Sequence, residues 1–209
     1  MQVKLIIIGD SNVGKTNLLS QFTKEKTPAS TLPTLGVEHV PKTVLLKNGA
    51  LIRAQMWDTA GQEKFKAITK AHYRKCLGAL IVYDITCKQS FDGVKKWYEE
   101  IKENAESGVR VLLVGNKVDK VHKDPDCREV TQEDAMDFAA KHEMRFLETS
   151  AKENIRVKEA FESLLEEIFE KFSNEEYLER FGQTGRTIIV NDKNFDPNKS
   201  ATQNSWCCQ

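Results

Sequence analysis

Short apolar runs alternate along the chain with segments in which apolar residues recur at every third or fourth position. Six runs end near polar turns and lie at residues 5–8, 44–46, 51–56, 79–83, 109–114 and 145–147. Apolar runs of this length predict strands. The runs without polar alternation, such as 79–83, are expected to be parallel strands, because helices cover both faces of a parallel sheet.

Two other segments, at residues 91–101 and 157–172, have helical spacing. Their apolar positions are Phe91, Val94, Trp97, Ile101, Val157, Phe161, Leu164, Leu165, Ile168 and Phe172. This spacing places the apolar side chains on one face of a helix. Thr131 shortly before the acidic pair at 133–134 predicts a further helix that begins with a threonine N-cap.

The dipeptide Asn48-Gly49 stands between two of the apolar runs and predicts a β-hairpin. One antiparallel strand is therefore expected in an otherwise parallel sheet. Together the six runs and the intervening helices predict an α/β fold: a doubly wound, mostly parallel six-stranded sheet flanked by helices. Ligands of such sheets bind at the carboxyl ends of the strands.

Composition suits one compact domain followed by a tail. The chain has 209 residues, of which 31 are basic and 31 acidic. A formal net charge of zero gives no indication of nucleic-acid binding. The cysteines Cys76, Cys87 and Cys127 lack metal-type spacing and are expected to be plain thiols in a reducing cytosol. The apolar stretch at 3–8 is too short for a secretory signal and predicts a strand.

Residues 9–16 fit the pattern G-x-x-x-x-G-K-[ST] and follow directly on the first strand. Loops of this pattern turn backbone N–H groups toward phosphates, Lys15 reaches the β- and γ-phosphates, and the Thr16 hydroxyl ligates Mg²⁺. The pattern predicts a nucleoside triphosphate with Mg²⁺. A glycine turn without a ligand is the alternative that the pattern alone leaves open.

A second motif, at residues 57–63, follows the strand at 51–56. Asp58 at a strand end can hold Mg²⁺, usually through water, and Gly61 lets a backbone N–H approach the γ-phosphate. Gln62 would orient the attacking water. A lone Asp-x-x-Gly is a common turn, but here it lies downstream of a phosphate loop.

The motif Asn116-Lys117-Val118-Asp119 predicts which base is bound. The Asp119 carboxylate can accept from both N1–H and the 2-amino group of guanine, whereas adenine offers no such donor pair. A buried carboxylate left unsatisfied rejects the wrong base by as much as about 10⁴-fold. After the last strand, the Ala151 N–H in the loop at 149–152 could donate to the guanine O6. The aliphatic side-chain carbons of Lys117 and Lys152 would pack along the base.

With these motifs in this order, the chain resembles a Ras-superfamily small GTPase, most of all its Rab branch. The likeness covers nearly all of residues 2–172 and includes Rab-like segments at 64–69, 72–74, 81–86 and 90–91. It implies a GTPase domain at 1–172 and a variable tail at 173–209.

The resemblance also implies site residues. The expected nucleotide contacts are Ser11, Asn12, Val13, Gly14, Lys15, Thr16, Asn17, Thr34, Gly61, Asn116, Lys117, Asp119, Ser150, Ala151 and Lys152. The expected Mg²⁺ ligands are Thr16, Thr34 and Asp58, and the expected catalytic residues are Gln62, Thr34 and Lys15. Because Thr34 bonds the γ-phosphate only in the GTP state, the resemblance implies a two-state switch.

The same resemblance implies a slow GTPase that regulates membrane traffic as a monomer. No arginine lies between Phe22 and Thr34, so an activating protein is expected to supply the arginine finger. An exchange factor and effectors on the switch surface are the other expected partners. Two alternatives remain: a nucleotide kinase, which would need an arginine-rich lid that the chain lacks, and a GTP-binding scaffold with little hydrolysis.

Three departures from the Rab pattern give separate expectations. Asn12 stands where a small residue is usual, and asparagine tolerates positive φ, so binding is expected to survive. No aromatic residue lies between Phe22 and His39, which predicts faster nucleotide release. The positions that match the Rab aromatic triad are His39, Trp57 and His72. The two histidines are either solvated side chains without a role or part of a pH-sensitive effector surface.

The chain ends in Trp206-Cys207-Cys208-Gln209, which resembles the Rab Cys-Cys-X ending. The likeness implies prenyl groups on Cys207 and Cys208, and two lipids anchor a protein stably where one does not. A prenylation escort and a GDP-dissociation inhibitor are then expected partners, with the apolar residues at 187–190 as a docking segment. The expected location is the cytoplasmic face of endomembranes, in exchange with the cytosol.

Overall fold

The computed structural model describes residues 1–24, 37–59 and 72–173. Residues 25–36, 60–71 and 174–209 lie outside the described part. The expected roles of Thr34, Gly61, Gln62, Cys207 and Cys208 fall on those segments and stay predictions, as does the docking segment at 187–190.

In this described part of the chain, six strands form one sheet in the order β2-β3-β1-β4-β5-β6. They are β1 (Gln2–Ile8), β2 (Val37–Leu45), β3 (Leu51–Thr59), β4 (Gly78–Asp84), β5 (Arg110–Asn116) and β6 (Arg145–Thr149). Among these six, β2 and β3 pair antiparallel, and every other pairing is parallel. The predicted fold class is confirmed.

Six α-helices with complete bounds lie in the described residues. They are α1 (Lys15–Lys24), α2 (Lys88–Asp92), α3 (Val94–Asn104), α4 (Val118–Lys123), α5 (Gln132–Lys141) and α6 (Val157–Phe172), with a 3-10 turn at Pro125–Cys127. The predicted N-cap is confirmed, since the Thr131 hydroxyl accepts from the Asp134 N–H at 3.0 Å. Within the described ranges, none of the helices combines the length and apolarity needed to cross a bilayer.

Each face of the sheet carries its own apolar core, because successive residues of β1 point to opposite faces. Leu5 and Ile7 belong to the core that includes the apolar sides of α1 and α6. Ile6 and Ile8 belong to the core that includes those of α3 and α5. The sheet is thus covered on both sides, and its five neighbouring parallel strands end at one edge, where the predicted motifs follow them.

The hairpin between β2 and β3 has a three-residue loop. The Leu46 N–H donates to the Ala50 carbonyl at 2.9 Å, and the Gly49 N–H donates to the Leu46 carbonyl at 2.9 Å. Gly49 has a φ of +84°, which a three-residue hairpin loop requires at its last position. The Asn48-Gly49 signal therefore predicted the hairpin correctly.

Several boundaries differ from the sequence prediction, and the largest difference is at β2, which was predicted at 44–46 and lies at Val37–Leu45. The helical run at 91–101 is divided at Gly93 into α2 and α3, although Gly93 still donates to the Gln89 carbonyl at 3.1 Å. The strand predicted at 109–114 is shifted to Arg110–Asn116, because the Val109 N–H instead closes a turn onto the Glu106 carbonyl at 3.2 Å.

Candidate functional site

The loop between β1 and α1 depends on two glycines in close contact with neighbouring strands. Gly9 has a φ of +141°, and a Cβ there would lie 2.1 Å from the Val82 carbonyl oxygen of β4. Gly14 has a φ of +99°, and its Cβ would lie 2.4 Å from the Asn116 side-chain nitrogen. Both positions exclude any larger residue, so the glycines of the motif are explained by packing as well as by backbone conformation.

Asn12 also has a left-handed backbone, with a φ of +64°. Asparagine is among the residues that adopt this conformation at least cost. The expectation that the backbone at this position tolerates asparagine is therefore consistent with the structure.

Lys15 is folded back onto the loop. Its Nζ donates to the Gly9 carbonyl at 2.9 Å and to the Asp10 carbonyl at 2.7 Å, and the residue is 6% exposed. Burial lowers the pKa of Lys15 to about 8, and the nearby carboxylates of Asp58 and Asp10 oppose that shift. A buried ammonium enclosed by carbonyl dipoles suits the binding of a phosphate anion.

Thr16 and Asp58 meet at the end of β3. The Thr16 hydroxyl donates to Asp58 Oδ2. The other carboxylate oxygen, Oδ1, is buried and has no hydrogen-bond partner within the described residues. Burial raises the pKa of Asp58 to about 6, against the hydrogen bond from Thr16 and the charge of Lys15. A buried carboxylate oxygen without a donor is a position where a cation or its water would fit.

This arrangement fits Mg²⁺ better than a metal held by protein ligands alone. The described residues contain no group of three or more His, Cys, Asp or Glu side chains that could hold a metal. Mg²⁺ is usually bound through one or two carboxylates together with substrate phosphates. One carboxylate and one hydroxyl beside a phosphate loop match that pattern.

Asn116, at the end of β5, connects three parts of the site. Its Nδ2 donates to the Val13 carbonyl at 2.8 Å, and its Oδ1 accepts from the Ala151 N–H at 3.2 Å and from the Thr149 hydroxyl at 3.3 Å. Asn116 is 2% exposed. The amide thus fixes the phosphate loop and the loop after β6 relative to each other.

Asp119 lies beside that amide in the first turn of α4. Its Oδ1 accepts from the Ser150 hydroxyl at 2.7 Å, and the residue is 6% exposed. The hydroxyl of Ser150 also accepts from the Glu153 N–H at 3.0 Å. Asp119 is therefore a carboxylate held in one orientation, as reading a base edge requires.

Lys117 has a φ of +76°, and its side chain bridges the phosphate loop and the end of β4. Its Nζ donates to the Asn12 carbonyl at 2.6 Å and forms an ion pair with Asp84 Oδ2 at 2.8 Å. Burial favours a higher pKa for Asp84, but the hydrogen bonds from Lys117 and Thr86 lower its pKa below the ordinary value. Lys152, the second lysine expected at the base, is exposed.

Most of the predicted contacts that are described gather at one edge of the sheet. Val13 is buried, Asn17 is half-buried and Ser11 is exposed. Sequence reasoning missed Asp84, which is the last residue of β4. Asp58 and Asn116 have equivalent positions, within the last two residues of β3 and β5. That shared position was the available signal.

His39, Trp57 and His72 form an aromatic cluster on the β2–β3 side of the sheet. The ring centroids of His39 and Trp57 are 4.6 Å apart, and those of Trp57 and His72 are 4.8 Å apart. Lys4 Nζ lies 5.3 Å from the Trp57 ring centroid. Burial, and secondarily the charge of Lys4, lower the pKa of His72.

Comparison with known proteins gives a match along most of the chain. Residues 4–170 match the sequence model of the family described as Ras family. GTP-binding protein ypt3 of Schizosaccharomyces pombe is 44% identical over an alignment of 210 residues, which covers 98% of this chain and 95% of that protein. Ras-related protein Rab2BV of Beta vulgaris is 40% identical over 210 aligned residues, covering 98% and 93% of the two chains. Ras-related protein Rab-11A of Dictyostelium discoideum is 45% identical over 166 residues, or 79% of this chain and 75% of that protein.

Proposed function

Since the chain belongs to the Ras family of small GTPases and its relatives include Rab and Ypt proteins, we propose that it is a Rab-like switch that binds GTP, hydrolyses it slowly and regulates vesicle traffic. GTP binding and hydrolysis with Mg²⁺ are properties of the family. The slow rate and the roles of individual residues are specific to our proposal. The alternative, a scaffold with little hydrolysis, is not favoured by the family match.

One observation supports guanine binding above the others: Asp119 is a buried carboxylate whose orientation is held by the Ser150 hydroxyl. A carboxylate fixed in this way has an oxygen pair to offer N1–H and the 2-amino group of guanine. Adenine would leave that buried carboxylate without the two donors that guanine supplies, which costs about 1–3 kcal/mol or more. The Asn116 amide bonds to both Val13 and Ala151 and so fixes the position of the base pocket relative to the phosphate loop.

The phosphate end is proposed to work through charge and position. Lys15 would exchange its bonds to the Gly9 and Asp10 carbonyls for the β- and γ-phosphate oxygens. Thr16, Asp58 and Thr34 would hold Mg²⁺, which neutralises charge that develops on the phosphates when it is bound. Gln62 would orient the attacking water, and Gly61 would donate its N–H to the γ-phosphate. Ser11, Asn12, Val13, Gly14 and Asn17 would form the rest of the cradle.

Without an arginine finger, hydrolysis assisted by a glutamine is expected on the order of 10⁻⁴ s⁻¹, and an activating protein can add about 10⁵-fold. The switch would therefore be timed by partner proteins: an exchange factor loads GTP, an activating protein ends the signal, and effectors bind the GTP state. Prenyl groups on Cys207 and Cys208 would place the protein on the cytoplasmic face of endomembranes. A prenylation escort would deliver it, and a GDP-dissociation inhibitor would return it to the cytosol.

Nucleotide binding in Mg²⁺ tests the base preference. We expect GDP and GTP to bind and ATP not to compete. In Asp119→Asn, the amide offers a donor in place of one acceptor, so xanthine nucleotides should gain and guanine nucleotides lose affinity. Asp126→Asn changes an exposed carboxylate in the 3-10 turn and is the matched control. Equal competition by ATP, or an unchanged preference in Asp119→Asn, would refute guanine recognition at this site.

Single-turnover hydrolysis of bound GTP separates a switch from a scaffold. The wild-type protein should convert its GTP slowly, and Gln62→Leu should slow the conversion further. A wild-type rate no higher than that of GTP in buffer would favour the scaffold. In cells, lipidated Gln62→Leu should accumulate on the compartment where the protein acts.

A further inference from the structure

A tryptophan of α3 reaches the first residues of the phosphate loop. The indole Nε1–H of Trp97 donates to Asp10 Oδ1 at 2.8 Å, and Trp97 is 9% exposed. The ring is part of the apolar core that lies under α3 and α5. A bond from an N–H to a carboxylate is stronger than a bond between neutral groups, so this contact attaches the loop to a packed element.

The same carboxylate lies against the residue at which α3 begins. A Cβ on Gly93 would lie 3.0 Å from Asp10 Oδ2 and 3.1 Å from Oδ1. Gly93 is the N-cap of α3 and offers no side-chain cap. These distances are shorter than an ordinary van der Waals contact, so the absence of a side chain at Gly93 lets the carboxylate pack closely against the start of α3. Two independent contacts, with Trp97 and with the start of α3, therefore fix the Asp10 side chain.

The main chain of Asp10 is fixed from the other direction. Its carbonyl accepts from Lys15 Nζ at 2.7 Å, and the preceding residue, Gly9, packs directly on the Val82 carbonyl. The Asp10 carboxylate also favours the charged form of Lys15. Asp10 thus connects α3 to the lysine proposed to bind phosphate.

We propose that Trp97 is a positioning residue for the nucleotide: it holds Asp10, and through Asp10 the start of the phosphate loop, in the geometry that Lys15 needs. This inference rests on the proposed nucleotide site. It makes α3 a determinant of how long the nucleotide stays bound, although Trp97 is not in the phosphate loop.

Release of a fluorescent GDP analogue in Mg²⁺ tests the proposal. Trp97→Phe keeps an aromatic ring and removes the N–H donor, and we expect release to be about 3- to 10-fold faster. Tyr98→Phe, at the next position of α3, removes a hydroxyl whose nearest described bond is a 3.5 Å contact with the His142 carbonyl. That control should release the analogue at the wild-type rate.

Asp10 variants distinguish the hydrogen bond from the cavity that Trp97→Phe leaves. Asp10→Asn keeps an oxygen that accepts from the indole but loses the negative charge, so its release rate should lie between those of the wild type and Asp10→Ala. Asp10→Ala should accelerate release as Trp97→Phe does, and the double variant should be no faster than Asp10→Ala alone. Fast release in Trp97→Phe that adds fully to the effect of Asp10→Ala would overturn the proposal, as would wild-type release in Trp97→Phe.

Hydrogen exchange of the backbone amides at 9–16 gives a readout that does not need bound nucleotide. Exchange there should be faster in Trp97→Phe and in Asp10→Ala than in the wild type or in Tyr98→Phe. If the wild type binds no guanine nucleotide, the proposed function fails, and exchange at 9–16 still decides the role of Trp97. Unchanged exchange in a folded Trp97→Phe protein would refute that role.

Discussion

The side-chain amide of Asn116 donates to the main-chain carbonyl of Val13 at 2.8 Å and so joins the end of β5 to the phosphate loop. In Asn116→Ala, the Val13 carbonyl and the Ala151 N–H both lose a buried partner. Each loss costs about 1–3 kcal/mol, so we expect the free energy of unfolding to fall by about 2 kcal/mol or more. Release of bound GDP should accelerate at least about 10-fold. Chemical denaturation and release of a fluorescent GDP analogue measure the two effects.

Asn104→Ala is a control for that variant. The Asn104 amide donates at 2.8 Å to the Glu100 carbonyl within α3 and is only half-buried. Its loss should cost less than about 1 kcal/mol and leave GDP release unchanged. If Asn116→Ala released GDP at the wild-type rate, the amide would stabilise the fold without controlling the nucleotide.

The ion pair between Asp84 and Lys117 predicts a contribution to stability that depends on pH. Because the pKa of folded Asp84 lies below the ordinary value of about 3.9, the charged carboxylate stabilises the folded state above that ordinary value. The contribution is lost as the pH falls through the lower, folded pKa. The wild type should therefore exceed Asp84→Asn in unfolding free energy at neutral pH, and the difference should shrink below about pH 4.

Denaturation of the two proteins across this pH range measures that difference directly. Asp92→Asn, whose exposed carboxylate lies 3.9 Å from Lys88 Nζ, serves as the control and should differ little from wild type at any pH. A difference between wild type and Asp84→Asn that stays constant down to about pH 3 would contradict the assigned role of the ion pair.

Local pattern was enough to predict the sheet, the hairpin and the loops that follow the strands. Residues 9–16, Asp58 and the 116–119 motif each follow or end a strand, and parallel strands end at one edge of the sheet. The bonds from Trp97 to Asp10 and from Lys117 to Asp84 were not predicted. They join residues 87 and 33 positions apart whose contact depends on the order of β1, β4 and β5 in the sheet. The break at Gly93 was missed because its φ of −69° is helical, so the apolar spacing passes through it unchanged.

The aromatic cluster of His39, Trp57 and His72 predicts a histidine that stays neutral at pH 7. The pKa of His72 lies below the ordinary value of about 6.5 because of burial and, second, the charge of Lys4. Lys4→Gln removes the smaller cause, so the pKa of His72 should rise but remain below 6.5. An NMR titration of the His72 ring measures it. Lys47→Gln, at an exposed lysine that pairs with Glu166, should leave the pKa unchanged, and a fall in Lys4→Gln would contradict the assignment.

Protonation of His72 also predicts how the proposed effector surface responds to pH. The folded state disfavours the charged ring, so the aromatic cluster should weaken as the pH falls below about 6.5. We expect affinity for an effector that binds Trp57 to decrease between about pH 7.5 and 5.5. Equal affinities across this range would leave His39 and His72 as surface histidines without a regulatory role.

The left-handed backbone at Asn12 gives opposite expectations for two substitutions. Asn12→Gly keeps the Asn12 carbonyl that accepts from Lys117 Nζ, and glycine adopts a φ of +64° without strain. GDP affinity should therefore stay within about 3-fold of wild type, and unfolding free energy within about 1 kcal/mol. Asn12→Val places a β-branched residue at positive φ, which costs about 1–3 kcal/mol, and should weaken both stability and GDP binding. Calorimetric titration with GDP and thermal unfolding distinguish the two variants. Wild-type behaviour in Asn12→Val would show that the loop adopts another backbone conformation when the nucleotide is bound.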